Sequence, residues 1–203
     1  MKKAYLYVHG KGGNAGEAEF FKNIVEEKVF GVEYNDGLPW IAKEAILEKY
    51  EQLEKEYDEI NVIANSIGAY FSALALSCKN VKNAFLISPV VDMERLILDM
   101  MSFAKVDENE LQEKGEIETT FGETLSWKYL CFVRNNPVFW NTKFHVLYGE
   151  NDNLTSKNTI EQFVKKHNAT LLVMKGGEHW FHTKEQTDFL ANWLEKELMK
   201  DKK

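Results

Sequence analysis

Residues 61–72 read NVIANSIGAYFS: an apolar run ends on Ala64, Asn65 and Ser66 follow, and a helical pattern begins at once. A strand that stops on a serine and turns directly into a helix lifts the hydroxyl out of the sheet, which requires small residues two positions before and two after. Here those residues are Ala64 and Gly68. Alone, small-x-Ser-x-Gly is a weak string. Its place between the strand pattern EINVIA (59–64) and the helical AYFSALALS gives it the context that a strained strand-to-helix turn requires.

Working outward, short apolar segments alternate with longer helical patterns, the mark of a parallel sheet with crossover helices. Six strands are predicted, at 4–8, 29–33, 59–64, 83–88, 144–148 and 170–174. Helical spacing predicts helices over 17–27, 40–57, 66–78, 155–167 and 183–200, with Thr155 and Thr183 placed as N-caps. The expected class is α/β: a three-layer, doubly wound, mostly parallel six-stranded sheet. Between Asp92 and Asn141 the alternation breaks and no good strand is visible, yet LILDMMSF and LSWKYLCFV are too apolar for a loose loop. Residues 92–141 are read as a helical insertion within a single domain, 1–203. The lysine-rich end MKDKK (199–203) is read as a solvated tail.

Composition narrows the function. A chain of 203 residues with 44% hydrophobic and 28% charged residues, 3 prolines and 12 glycines has the balance of a globular domain. The net charge of -7 argues against nucleic-acid binding, which calls for a basic face. Two cysteines, Cys78 and Cys131, lie far apart in no metal-ligand spacing, so neither a disulfide framework nor a zinc site is expected. The opening MKKAYLYVHG is too short in apolar residues for a signal peptide, and no apolar run approaches a bilayer's thickness. The expected location is the cytoplasm. GKGGN (10–14) lacks the spacing of a phosphate-binding loop.

A serine hydroxyl is a poor nucleophile unless a base takes its proton, and the base is most often a histidine oriented by a carboxylate. In an open α/β sheet such groups gather beyond the carboxyl ends of the strands. Of the histidines at 9, 145, 167, 179 and 182, His179 in KGGEHW follows the last strand pattern and is the leading base, with His182 its competitor. His145 lies inside a strand pattern and His167 near a helix end, which suits structural roles. The acid should come from ENDN (150–153), where Asp152 sits at the loop crest beside Glu150; Asp92, after the preceding strand, is a second candidate.

YLYVHGKGG, ANSIGA, LYGENDNLTS and GGEHWF, in this order, resemble the α/β-hydrolase superfamily over nearly the whole chain. Ala64 departs from the G-x-S-x-G form of its nucleophile elbow at the first glycine, and the usual first hairpin is missing. The resemblance therefore implies a minimal sheet in the order 2-1-3-4-5-6, with 92–141 as a helical cap. It implies Ser66 as nucleophile, His179 as general base and then acid, and Asp152 as the group that fixes its tautomer. Backbone N–H groups of Ile67 and Lys11, with Gly12 next after Lys11, would form the oxyanion hole, and His9 would shape that loop. Aromatic and Met residues of the cap, together with Trp40 and Trp180, are candidates for pocket walls. The implied activity is cleavage of a carboxylic ester or thioester of a small-molecule acyl substrate, without metal or organic cofactor. Peptidase, acyltransferase or C–C hydrolase chemistry, or a non-catalytic binding protein on the same fold, are the rival readings, and the oligomeric state is left open.

Overall fold

The computed structural model describes residues 1–35 and 37–201; Lys202 and Lys203, the end of the expected solvated tail, lie outside the described residues. The chain divides into two units: Met1–Val91 with Phe139–Lys203, and Asp92–Val138.

In the first unit, β1 (Lys3–Val8), β2 (Lys28–Gly31), β3 (Glu59–Asn65), β4 (Val81–Ile87), then β7 (Lys143–Gly149) and β8 (Thr170–Met174) form one sheet. The order β2-β1-β3-β4-β7-β8 is the predicted 2-1-3-4-5-6 counted among these strands, and all five pairings are parallel. The central strands are buried on both faces, which is why their sequences run apolar without alternation. Side-chain period two sorts them. Tyr5, Tyr7, Ile63, Phe85, Ile87 and Leu147 join a core with Phe21 of α1 (Ala18–Lys22) and Trp193 of α8 (Lys184–Asp201). On the opposite face β1, β3 and β4 meet α3 (Ile67–Leu76), α3 meets α2 (Pro39–Leu53), and Phe163 of α7 (Lys157–His167) packs edge-on to Phe144 with ring centroids 5.1 Å apart.

Two local expectations change. The helix predicted over 17–27 is a 3-10 turn at Ala15–Glu17 followed by α1, which stops at Lys22, leaving Val25 to tuck into the core. Ser156, not Thr155, caps α7, accepting from the Thr159 N–H. Thr155 instead donates its own N–H to Asp152 Oδ1 at 3.0 Å. Thr183 caps α8 as predicted, with its hydroxyl 3.3 Å from the Gln186 N–H.

The second unit holds α4 (Met93–Ala104), α5 (Glu108–Lys114), α6 (Trp127–Asn135) and an antiparallel ribbon of β5 (Glu116–Glu118) and β6 (Thr124–Ser126). The ribbon corrects the all-helical expectation. Ile117 opposes Leu125, and Thr119 closes the turn through its hydroxyl to the Glu123 carbonyl at 2.7 Å. Three-residue strands carry too little alternation to register beside helical runs. Arg134 of α6 fastens two helices, with Nε 2.7 Å from Glu94 of α4 and a bidentate pair of bonds at 2.7 and 2.8 Å to Glu108 of α5.

Candidate active site

The turn after β3 places the serine. Ser66 has φ 51 and ψ -121, a conformation an L-residue rarely adopts, and three backbone bonds hold it there. Its N–H donates to the Ile87 carbonyl at 2.9 Å, and its carbonyl accepts from Ala69 at 3.1 Å and Val90 at 3.0 Å. A serine at this position before a helix usually turns its hydroxyl back to cap the first turn. Ser66 makes no such cap bond, and its Oγ lies 2.7 Å from His179 Nε2. Gly68 is demanded by the approach of α3 to β1: a Cβ there would fall 2.4 Å from the His9 carbonyl oxygen and 2.6 Å from that of Val8. Ala64, fully buried in β3 between Val8 and Leu86, fits the first small position without a glycine.

The loops after β7 and β8 are joined by hydrogen bonds, so the acid and the histidine reach the same place. The Glu150 N–H bonds Met174 O at 3.0 Å, that of Asn151 bonds Gly177 O at 2.7 Å, and the Glu150 carboxylate accepts from Gly176 N at 2.9 Å. A Cβ on Gly149 would lie 2.4 Å from Glu178 O, so only glycine lets the two loops close this tightly. Asp152 Oδ2 then sits 2.7 Å from His179 Nδ1, while its Oδ1 accepts from the N–H groups of Leu154 at 2.8 Å and Thr155 at 3.0 Å. The Asp152 side chain is fully buried, and three bonds satisfy it. A carboxylate only accepts, so Nδ1 carries the proton toward Asp152 and Nε2 accepts from the Ser66 hydroxyl. Tyr148, pushed up to about 12 by burial and then by the Asp152 charge, stays protonated and donates to Thr155 O at 2.7 Å, bracing the acid loop from below.

The other candidates go elsewhere. Asp92 caps α4, accepting from the Arg95 N–H at 3.0 Å. Glu150 binds the histidine loop rather than the histidine. His182 Nδ1 lies 2.8 Å from Trp180 O and 3.6 Å from Glu178, and its side chain is exposed. His145 is buried 2.8 Å from Glu197, and His167 packs against Phe144 and Phe163, its ring held below the usual histidine range by burial and then by Lys166.

Beside Ser66 opens a cavity of about 380 Å³ whose walls include Gly10, Lys11, Gly13, Leu154, His179 and Trp180. His9, buried at the end of β1, donates from Nδ1 to the Gly10 carbonyl at 2.7 Å, and the Gly13 N–H reaches the same oxygen at 3.1 Å. With that carbonyl pinned, the trans Gly10–Lys11 peptide is fixed in plane. Tyr34 stacks on His9 at 4.0 Å between ring centroids and donates to the His9 carbonyl. Ile67 opens α3, where an N–H has no acceptor within its own helix. Sequence reading missed Glu17, Asn65 and Leu154 as walls of this cavity. Nothing in the local pattern marks them, because Glu17 reads as the first turn of a helix and Leu154 as the approach to one. Among the described residues, no three or more His, Cys, Asp or Glu side chains are grouped to hold a metal ion. None of the described helices is long and apolar enough to cross a membrane.

Comparison with solved structures decides the fold. Est1E from Butyrivibrio proteoclasticus superposes with a TM-score of 0.79 over 98% of this chain and 88% of its own, at 14% identity. The chain has the α/β-hydrolase fold. Alpha/beta hydrolase domain-containing protein 10 from mouse gives 0.74 over 97% and 90% at 13% identity. Peroxisomal alpha-beta-hydrolase Lpx1 from Saccharomyces cerevisiae gives 0.66 over 98% and 76% at 15% identity. No protein-family model matches the chain, and no curated protein sequence does. Sequence divergence at this level leaves the α/β-hydrolase fold shared and the chemistry to be argued from the site itself.

Proposed function

We propose that this protein is a serine hydrolase that cleaves a carboxylic ester or thioester through an acyl-enzyme. The observation that carries the reading is the unbroken relay from Ser66 Oγ to His179 Nε2 and from His179 Nδ1 to Asp152, each link 2.7 Å, at the wall of an open cavity. Ser66 Oγ attacks the carbonyl carbon while His179 Nε2 takes its proton. Asp152 holds the ring in the required tautomer and balances the imidazolium that forms. His179 then returns the proton to the departing alcohol or thiol, leaving the acyl group on Ser66. Water attacks the acyl carbon with its proton passing to His179, and the carboxylic acid leaves as Ser66 recovers its hydrogen. The oxyanion of each tetrahedral intermediate is assigned to the N–H of Ile67 and the N–H of Lys11, the latter oriented by the His9-pinned peptide.

Ferulic acid, a carboxylic acid, is bound to Est1E in another similar structure, with a TM-score of 0.77, which is in keeping with acyl chemistry on this fold. In this reading the unit 92–138 acts as the cap and contributes to substrate choice, and the enzyme works in the cytoplasm. A fluorophosphonate is expected to label Ser66, and Ser66→Ala is expected to lose both labelling and turnover of short p-nitrophenyl esters. Turnover kept by Ser66→Ala would remove the proposal.

A further inference from the structure

The cavity contains a carboxylate that the relay does not use. Glu17 stands at the end of the 3-10 turn and lines the same cavity as Ser66 and His179. Its Oε2 accepts from the Tyr7 hydroxyl at 2.5 Å. Tyr7 comes from β1, is 2% exposed, and has its hydroxyl held far above the usual tyrosine range, first by burial and then by Glu17 itself. The phenol is therefore a permanent donor that tethers one carboxylate oxygen. Oε1 packs over the backbone of Gly13, where a Cβ would come within 2.7 Å of it, and among the described residues it accepts no hydrogen bond. On the same cavity lies Trp180, 69% exposed, its indole stacked on His182 with ring centroids 4.5 Å apart. Much of the indole is left open to the cavity side and to solvent despite that stacking.

We propose that Glu17 is a specificity residue and that the substrates are esters or thioesters carrying an ammonium group, which the free Glu17 oxygen and the Trp180 face receive. A fixed carboxylate pairs strongly with a cationic donor, and an indole face attracts the same charge. The indole face also accepts alkyl groups, so it is the carboxylate that sets a cation above a neutral chain. Lys11, His179 and Asp152 are ionisable groups at or behind the cavity wall, and His182 backs the Trp180 ring. Asp152 and His179 are engaged with each other, and Lys11 is an exposed residue of charge opposite to Glu17. The Glu17 carboxylate, held by Tyr7, sets recognition.

This inference rests on the serine-hydrolase reading, and its test separates the two. Wild type and Glu17→Gln are given ethyl 5-aminopentanoate, ethyl hexanoate and monoethyl glutarate, which place a cation, no charge and an anion at one position of the acyl part. A choline ester against its 3,3-dimethylbutyl counterpart asks the same of the alcohol part. Fluorophosphonate labelling of Ser66 is followed in parallel. The expected result is at least a tenfold preference in kcat/KM for the cationic member of one pair in wild type, reduced about tenfold in that ratio by Glu17→Gln and weakened by added salt. Tyr7→Phe, which frees the carboxylate while keeping its charge, is expected to reduce the same ratio, so a poorly folding Glu17→Gln does not leave the matter undecided. A labelled enzyme that treats cationic and neutral members alike, or prefers the glutarate, overturns the role of Glu17 and leaves the hydrolase standing. Wild type that is neither labelled nor active overturns both.

Discussion

Ser66 carries its backbone at φ 51, and that strain is separable from its chemistry. A residue held in the left-handed half of the map costs on the order of 1–3 kcal/mol, and glycine does not share the cost. Ser66→Gly is therefore expected to be more stable than Ser66→Ala by about 1 kcal/mol and to melt higher, although both variants lack the hydroxyl; an equal or lower melting point for the glycine variant would show the turn to be unstrained. Gly68→Ala is the converse case. Its methyl meets the backbone oxygens of Val8 and His9, so α3 must move off the sheet, at a cost of about 2 kcal/mol or more in chemical denaturation. Asp152→Asn keeps the shape but offers Nδ1 of His179 a different partner, and under the proposed mechanism kcat is expected to fall about 10³- to 10⁴-fold with melting little changed. These residues differ in how far the sequence announces them. Ser66 and Gly68 are legible because a strained turn restricts what can stand at neighbouring positions. Glu17 and Tyr7 are not, since a carboxylate on an early helical turn has the same local pattern whether it faces solvent or a cavity.

At the level of elements, β7 and α8 share a buried polar link that the sequence reading left as a structural histidine in a strand. His145 stacks on Phe85 with ring centroids 4.8 Å apart and meets Glu197 of α8, which also takes Lys200 at 2.6 Å. Burial pushes the Glu197 carboxyl up, but Lys200 and His145 together pull it further down, so it titrates below the usual glutamate range. A carboxyl depressed in the folded state contributes stability above its unfolded pKa, near 4.3, and loses it as pH falls through the folded value. Acid unfolding of wild type is thus expected to steepen below about pH 4.3, and Glu197→Gln to be less stable at pH 7 with a shallower acid limb. Melting curves across pH 3–7 check this, and parallel acid limbs would contradict it. Helix and strand identities were legible because periods of 3.6 and 2 are written in the chain. Their ends were not: α1 stops short because Val25 is needed in the core, and the choice of Ser156 over Thr155 as a cap depends on Asp152 claiming Thr155.

At the scale of the molecule, the sheet unit and the unit 92–138 are built on different principles, and they should answer differently to damage. The sheet unit is held by a continuous apolar core. The inserted unit relies in part on Arg134 spanning Glu94 and Glu108, all three partly exposed. Solvent screening keeps such a network weak, so Arg134→Lys, which loses the bidentate fork, is expected to speed hydrogen exchange in α5 and α6 several-fold while sheet amides stay protected. Uniform acceleration over both units would argue that they unfold as one. The pattern of the chain was enough for six parallel strands, the turn at Ser66 and the loops that carry Asp152 and His179, because hydrophobic period and glycine placement leave few alternatives, while the strand order came from the resemblance to α/β hydrolases. Tertiary structure decided what lies across space. It set Asp152 rather than Asp92 beside His179 and His179 rather than His182 beside Ser66, turned residues 116–126 into a ribbon, and brought Glu17 to the cavity. Those outcomes depend on contacts between residues far apart in the chain, whose geometry exists only once the backbone between them has packed.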